Sequence, residues 1–275
     1  MREDPKMTSA AETRAAADPF FTVPLNKKAY PGDEIDVPIR YYDGSNVFAM
    51  FAADPAAVDA KLAGTGLIPA MRIGRKPLVV VSIYEYRQSS IGPYNEVGVA
   101  ILVYPERFRR SRSVLGWRDV LRRTDRREQG VYIIDLPVTT PNAYEAGCAI
   151  WGFPKFVAPI SFALGGGHFS STVEDTTDGS TIMEFSGAAK PTVKVPPISL
   201  VCYSEIDDKP VRSSIEVRNG MRLHVPGGIN LKVGQSRHRM ANNLRDLGLD
   251  GAQPVAVGST ANFQSRLDVP APRFI

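Results

Sequence analysis

Cysteine and histidine are scarce in this chain: 275 residues carry two cysteines and three histidines. Cys148 and Cys202 are too few for a disulfide framework, so they read as reduced thiols of a cytoplasmic protein. His168, His224 and His238 are scattered, and none has Cys, Asp or Glu at metal-ligand spacing, so neither a metal nor another cofactor is expected. Long apolar runs are missing too. No stretch approaches the ~18 residues that a membrane span requires. The opening MREDPKMTSAAETRAAADPF lacks the apolar segment of a secretory signal. Neither GxGxxG nor P-loop spacing occurs around GGGH at 165–168, which reads as a turn after a strand. Spacing alone matches no serine, histidine and acid as a triad. No repeat and no linker divides the chain. Residues 19–275 therefore read as one domain behind a mobile polar tail at 1–18.

What is abundant is β-forming sequence punctuated by turns. Hydrophobic residues make up 43% of the chain, enough for a substantial core, and 23 glycines and 22 prolines suit many tight connections. Runs rich in Val, Ile, Phe and Tyr predict strands at 46–52, 78–86, 95–104, 131–138, 157–164, 180–185, 198–205, 221–225 and 253–258. Helices are few. DPAAVDAKLAG at 54–64 has Asp54 as N-cap, Pro55 in the first turn, Gly64 as stop, and Val58 and Leu62 on one face. PNAYEAGCAIWG at 141–152 predicts a second helix, and 238–247 a third. The class is mostly β, of the α+β kind: one domain of short strands with a few covering helices.

The formal charge of +4 and the pI near 9.0 come from one cluster, since 107–127 holds nine arginines with Phe108 and Trp117. Arginines bind phosphates and aromatics stack on bases. Glu106, Asp119 and Asp125 partly neutralise the segment, however, so it reads as a solvated insertion, with a subunit contact or an anionic substrate carrier preferred to a nucleic-acid site.

One lysine stands out. In GCAIWGFPKF, at 147–156, Lys155 is the only charge within an apolar run. A lone lysine usually lays its stem on apolar surface and sends the ammonium to water. Here a glycine, a proline and two large aromatics specify the backbone around a single amine. A neutral lysine attacks carbonyls and forms an imine, which withdraws electrons and stabilises negative charge on the adjacent carbon. Decarboxylation of a β-keto acid and aldol chemistry both generate that charge, and an apolar shell disfavours the protonated amine.

The order GPYNEVGVAI (92–101) followed by GxxxWGFPK, ending at Lys155, resembles the acetoacetate decarboxylase family. The resemblance runs loosely from about residue 35 to the C-terminus and is strongest at 78–104 and 131–165. It implies an antiparallel β architecture with a cone-like barrel around the catalytic lysine, a homo-oligomer, and a small keto acid substrate. The Schiff-base lysine falls on Lys155 and the active-site glutamate on Glu96. Tyr94 shares a strand face with Glu96 if the strand is regular, and its hydroxyl would orient a substrate oxygen. Trp151, Phe153 and Phe156 are the candidate substrate-binding aromatics, with Glu85 and Glu145 as reserve carboxylates. The chain also departs from the family. Phe156 stands where the well-studied decarboxylases have a second lysine, and Cys148 and Ala149 replace an Arg–Glu pair. Gly44 aligns near a carboxylate-handling arginine, for which Arg40 is the nearby substitute. The implied reaction is lyase chemistry on an acetoacetate-like β-keto acid. Aldolase–dehydratase chemistry on a pyruvate-like acid is the alternative, and a non-catalytic carbonyl-binding protein the reading from another class.

Overall fold

A computed structural model describes residues 18–111, 119, 122–188, 191–224 and 227–272. Seven strands form its centre: β1 (Ile39–Ala52), β2 (Lys76–Ser89), β3 (Tyr94–Pro105), β4 (Gly130–Val138), β5 (Leu200–Ile206), β6 (Lys209–Val217) and β7 (Ser265–Leu267). Each bonds to the next and β7 returns to β1, which closes a barrel. Alternating direction cannot persist around an odd-numbered ring. The exception falls at β4–β5, which pair in parallel through Cys202–Val131 and Tyr203–Tyr132.

Strands β2 to β4 are largely buried along their length, which is why much of their sequence reads as continuous apolar runs. Along β3, Glu96, Gly98, Ala100 and Leu102 face the lumen. Val97, Val99, Ile101 and Val103 join the outer core instead. There they meet a four-stranded antiparallel sheet of Ile160–Gly165, His168–Glu174, Thr181–Ala188 and Ile229–Val233. Gly166 and Gly167, at φ +57° and +78°, make the two-residue turn in GGGH.

Three α-helices cover this framework: α1 (Pro55–Leu62), α2 (Pro141–Trp151) and α3 (Arg239–Asp246). Asp54 caps α1 by accepting from Ala57 N at 2.9 Å, and Val58 and Leu62 are its buried residues. The helix ends at Leu62, just ahead of the expected Gly64, which takes φ +81°. Met240 and Leu244 of α3 are buried against the outer core. Asp135 of β4, fully buried, ties that helix to the barrel by accepting from Asn243 Nδ2 at 2.7 Å and Arg239 Nε at 3.1 Å. Burial pushes its carboxyl up, and the Asn243 and Arg239 contacts oppose the rise.

Several expectations need correction. The strand foreseen at 157–164 is two pieces, Lys155–Val157 and Ile160–Gly165, because Pro159 has no N–H for a ladder. The hairpin Asn26–Tyr30 with Asp33–Val37 was not foreseen. The arginine-rich segment is more than a solvated insertion at its described end. Arg127 is buried and bonds the Arg122 and Ser199 carbonyls, while buried Asp119 accepts from Glu128 N and Gln129 N. Residues 112–118, 120 and 121, with the first 17 of the polar tail, lie outside the described residues. Among the described residues, no helix is long and apolar enough to cross a membrane.

Candidate active site

Helix α2 places the lysine. Its buried residues, Ala143, Ala146, Gly147, Ile150 and Trp151, recur at helical spacing and turn one stripe toward the barrel. The helix stops at Gly152, whose left-handed φ of +63° suits glycine. A side chain there would also collide with the Glu205 carbonyl, since a Cβ would lie 2.0 Å from that oxygen. The chain then reverses: Gly152 N donates to Cys148 O at 3.0 Å and Phe153 N to Gly147 O at 3.2 Å. Lys155 emerges beside β4, where Leu136 is its parallel partner.

The lysine side chain returns over α2. At Gly147, where a Cβ would sit only 2.4 Å from both Cδ and Cε of Lys155, the missing side chain gives the stem its path. The amine ends inside the barrel and donates from Nζ to Glu96 Oε2 at 2.5 Å. Both side chains are nearly withdrawn from solvent, at 7% and 10% exposure. The other carboxylate oxygen, Oε1, accepts from the Tyr86 hydroxyl at 3.4 Å.

A tyrosine cluster surrounds the pair. Tyr41 and Tyr86 have ring centroids 4.2 Å apart, Tyr86 and Tyr94 are at 4.8 Å, and Tyr84 stacks on Tyr86 at 5.5 Å. Phe263 closes the group 5.4 Å from Tyr84. Burial, with the charge of Glu96 and of neighbouring groups adding to it, holds the phenols of Tyr41, Tyr84, Tyr86 and Tyr94 above the ordinary phenol range. These tyrosines enter the site as neutral hydroxyls.

The pair opens onto a lumen of about 180 Å³, whose charged lining residues are Lys155 and Glu96. Cys202 also lines it, its thiol pushed up to about 12 by burial and by Glu96. Cys148 lies behind the lysine, with Sγ 3.4 Å from Phe153 O. Among the described residues, no three His, Cys, Asp or Glu side chains form a metal-ligand group.

The expected residues divide. Lys155, Glu96 and Phe153 line the lumen together. Tyr94 lies behind that lining, its ring centroid 5.7 Å from Nζ and its hydroxyl 3.0 Å from that of Tyr41. Arg40 is not in the lumen. Its neighbour Tyr41 points inward, so strand alternation turns Arg40 outward, 5.9 Å from the Tyr42 ring. Trp151 is also not lining: it is fully buried, and Nε1 donates to Asp268 O at 2.9 Å. Phe156 turns the opposite way from Lys155 and meets the His238 ring at 4.3 Å. Glu85 pairs with Arg87 at 2.6 Å, and Glu145 is exposed on α2. Gly44 sits at a bulge of β1, where a Cβ would be 2.5 Å from the Glu85 carbonyl. Sequence reading missed Tyr41, Tyr84, Tyr86 and Phe263. The every-second-residue spacing of Tyr84 and Tyr86 was the available signal.

Comparison with known proteins agrees with this architecture. The family model described as acetoacetate decarboxylase matches residues 18–207, well over half of the chain. The chain belongs to the acetoacetate decarboxylase family. Among curated proteins, no sequence matches significantly. Solved structures share the fold of this family member at low identity. An acetoacetate decarboxylase from Legionella pneumophila subsp. pneumophila str. Philadelphia 1 is 16% identical, with TM-score 0.58 over 99% of this chain and 98% of that one. The enduracididine biosynthesis enzyme MppR, solved with pyruvate, is 14% identical, with TM-score 0.58 over 86% of this chain and 90% of its own. An acetoacetate decarboxylase-like enzyme from Sphingomonas wittichii RW1 is 14% identical, with TM-score 0.53 over 87% and 94%.

Proposed function

We propose that this family member is a cofactor-independent Schiff-base lyase that decarboxylates a β-keto acid, with Lys155 as nucleophile and Glu96 as proton shuttle. The carrying observation is the 2.5 Å contact between Nζ and Glu96 inside an apolar lumen. At that separation the carboxylate takes the ammonium proton and frees the amine to attack the substrate ketone. The carbinolamine hydroxyl leaves as water on the proton that Glu96 holds, which gives the iminium and returns Glu96 to its carboxylate form. The bond from the α-carbon to the carboxylate then breaks, CO2 leaves, and its electron pair passes into an enamine. A proton taken up from solvent water then passes through Glu96 to the α-carbon, and water hydrolyses the imine to the ketone and free Lys155. Tyr86, donating to Glu96, steadies the carboxylate through these exchanges.

The lining supports decarboxylation over pyruvate aldol chemistry. Among the described residues, no guanidinium lines the lumen, and the one carboxylate that does is Glu96. A substrate carboxylate placed there loses hydration without gaining a cation other than the reacting amine. Decarboxylation removes that charge as CO2. In an aldol reaction of pyruvate it would persist through every step.

The test is incubation with acetoacetate or pyruvate plus borohydride, followed by mass mapping. Lys155 gains the reduced adduct, and Lys155→Met loses it while keeping the wild-type circular dichroism. If no keto acid labels Lys155, the Schiff-base reading is wrong. CO2 release run beside aldehyde–pyruvate condensation divides the two enzyme reactions, and condensation without CO2 release would select the aldolase.

A further inference from the structure

The lumen extends well beyond the space a four-carbon keto acid fills. Three successive rows, in register across β1, β2 and β3, lead away from the reactive end. The first is Asn46–Tyr84–Glu96, polar and aromatic. The second is Phe48–Ser82–Gly98, in which glycine leaves the wall open. The third, Met50–Val80–Ala100, is wholly apolar, and Leu102 follows. Successive rows are two residues apart, so Leu102 lies about 20 Å along the strand from Glu96. Ile133 of β4, Leu200 of β5 and Ile215 of β6 line the same lumen from the far side. These three, with Phe48, Met50 and Val80, are only half-buried although they belong to the barrel interior. The protein's own side chains leave this tract unfilled.

A void lined by one row of small residues and walled by hydrocarbon suits an unbranched apolar chain. The geometry points to a substrate class: β-keto acids, and their methyl ketone products, that carry an alkyl tail running from Lys155 down the lumen past Gly98 and Ala100. The head-group chemistry rests on the Lys155 reading above, whereas the fit of the tail rests on the lining alone. Gly98 and Ala100 are the positions that set tail length. A Cβ at Gly98 would come within 3.1 Å of Ser82 Oγ and 3.4 Å of Leu136 Cδ1, so even a methyl group narrows the passage. At Ala100 a larger side chain would enter the third row directly.

The experiment measures dissociation constants of methyl ketones from acetone to nonanone by calorimetry, on wild type and on Lys155→Met, with borohydride trapping in parallel. Affinity rises about fourfold for each added methylene, equivalent to about 0.8 kcal/mol, and does so in Lys155→Met as well, because tail burial needs no imine. Ala100→Leu lowers the nonanone-to-acetone affinity ratio at least tenfold. Met50→Ala moves the ratio the other way, and that opposite shift reads the same space should the leucine variant not fold. Affinities that stay flat with chain length in both wild type and Lys155→Met overturn the inference, even if Lys155 is trapped. Rising affinities without any Lys155 adduct uphold the tail site and overturn only the Schiff-base reading.

Discussion

Replacing Gly147 with alanine separates the needs of the helix from those of the site. Alanine is a better helix former than glycine by about 1 kcal/mol. Gly147 is buried within α2, so propensity alone predicts a more stable protein. The same methyl group would stand 2.4 Å from Lys155 Cδ and Cε and 3.3 Å from Nζ. Carbon atoms in contact need about 3.5–4.0 Å, so the stem must retreat by about 1 Å or more. The retreat carries Nζ out of its 2.5 Å contact with Glu96. A misplacement of that size costs on the order of 10²-fold in rate. Gly147→Ala is therefore expected to melt within a few degrees of wild type while its borohydride-trapping and decarboxylation rates fall about a hundredfold. Gly147→Ser should behave likewise, which guards against an effect peculiar to alanine. If Gly147→Ala traps substrate at the wild-type rate, the lysine stem does not depend on this crossing and the proposed path of the side chain is wrong. A large drop in melting temperature with normal specific activity in the folded fraction would likewise refute it, since the strain would then fall on the helix.

Glu96→Gln keeps the shape of the carboxylate but cannot exchange protons, and should slow turnover by about 10²–10⁴-fold. Retention of full kcat would remove Glu96 from the proposed mechanism. The buried phenols give a pH prediction. The folded state holds the protons of Tyr41, Tyr84, Tyr86 and Tyr94 more tightly than an unfolded chain, whose tyrosines titrate near ~10. Their contribution is thus fully present below ~10 and is lost as pH rises through the folded values. Each group contributes a slope of up to about 1.4 kcal/mol per pH unit. Urea melts above pH ~10 should show a steep fall, with slow phenolate absorbance that tracks unfolding. Immediate ionisation of all ten tyrosines in the folded protein would contradict the burial.

How far the sequence revealed this molecule depended on which physical signal each part carried. The walls β2 to β4, and β1 from Asn46 onward, were legible because these stretches are largely buried and their runs are apolar, whereas the polar start of β1 at 39–45 was not read as strand. Asn26–Tyr30 and Asp33–Val37 were not, since seven of their ten residues are exposed and the sequence reads as polar loop. In β6, PVRSSIEV hides a barrel strand behind polar residues that bond to other elements: Arg212 to Thr124 and Arg127 carbonyls, Glu216 to Ser199 and Thr124. At the site, Lys155 and Glu96 were accessible through residue chemistry and motif order. Arg40 was misplaced by a single residue, enough to invert a strand's facing. Trp151 and Phe156 were chosen for nearness to Lys155 along the chain. The tight reversal after α2, however, sends neighbouring side chains in different directions. Tyr41, Tyr86 and Phe263 come from distant parts of the chain and converge only because the ring closes, which no local pattern encodes.

Ring closure also reconciles two demands on the lysine. An apolar lumen alone would disfavour an ammonium, and a carboxylate alone would favour it, so neither by itself explains a residue meant to cycle between amine and imine. Here one carboxylate is brought against one amine, and neutral phenols occupy much of the surrounding space. The proton can move between Nζ and Glu96 without creating a net charge in the lumen. Once Lys155 is bound as an iminium, a substrate carboxylate near Glu96 is a second anion in a low-dielectric space. At an effective dielectric of ~20, two such charges ~5 Å apart repel by about 3 kcal/mol. That repulsion fades as CO2 departs, whereas a carboxylate retained through an aldol step would meet it throughout. Among the described residues no arginine lines the lumen, and that, set beside the position of Glu96, is a reason for the proposed decarboxylation.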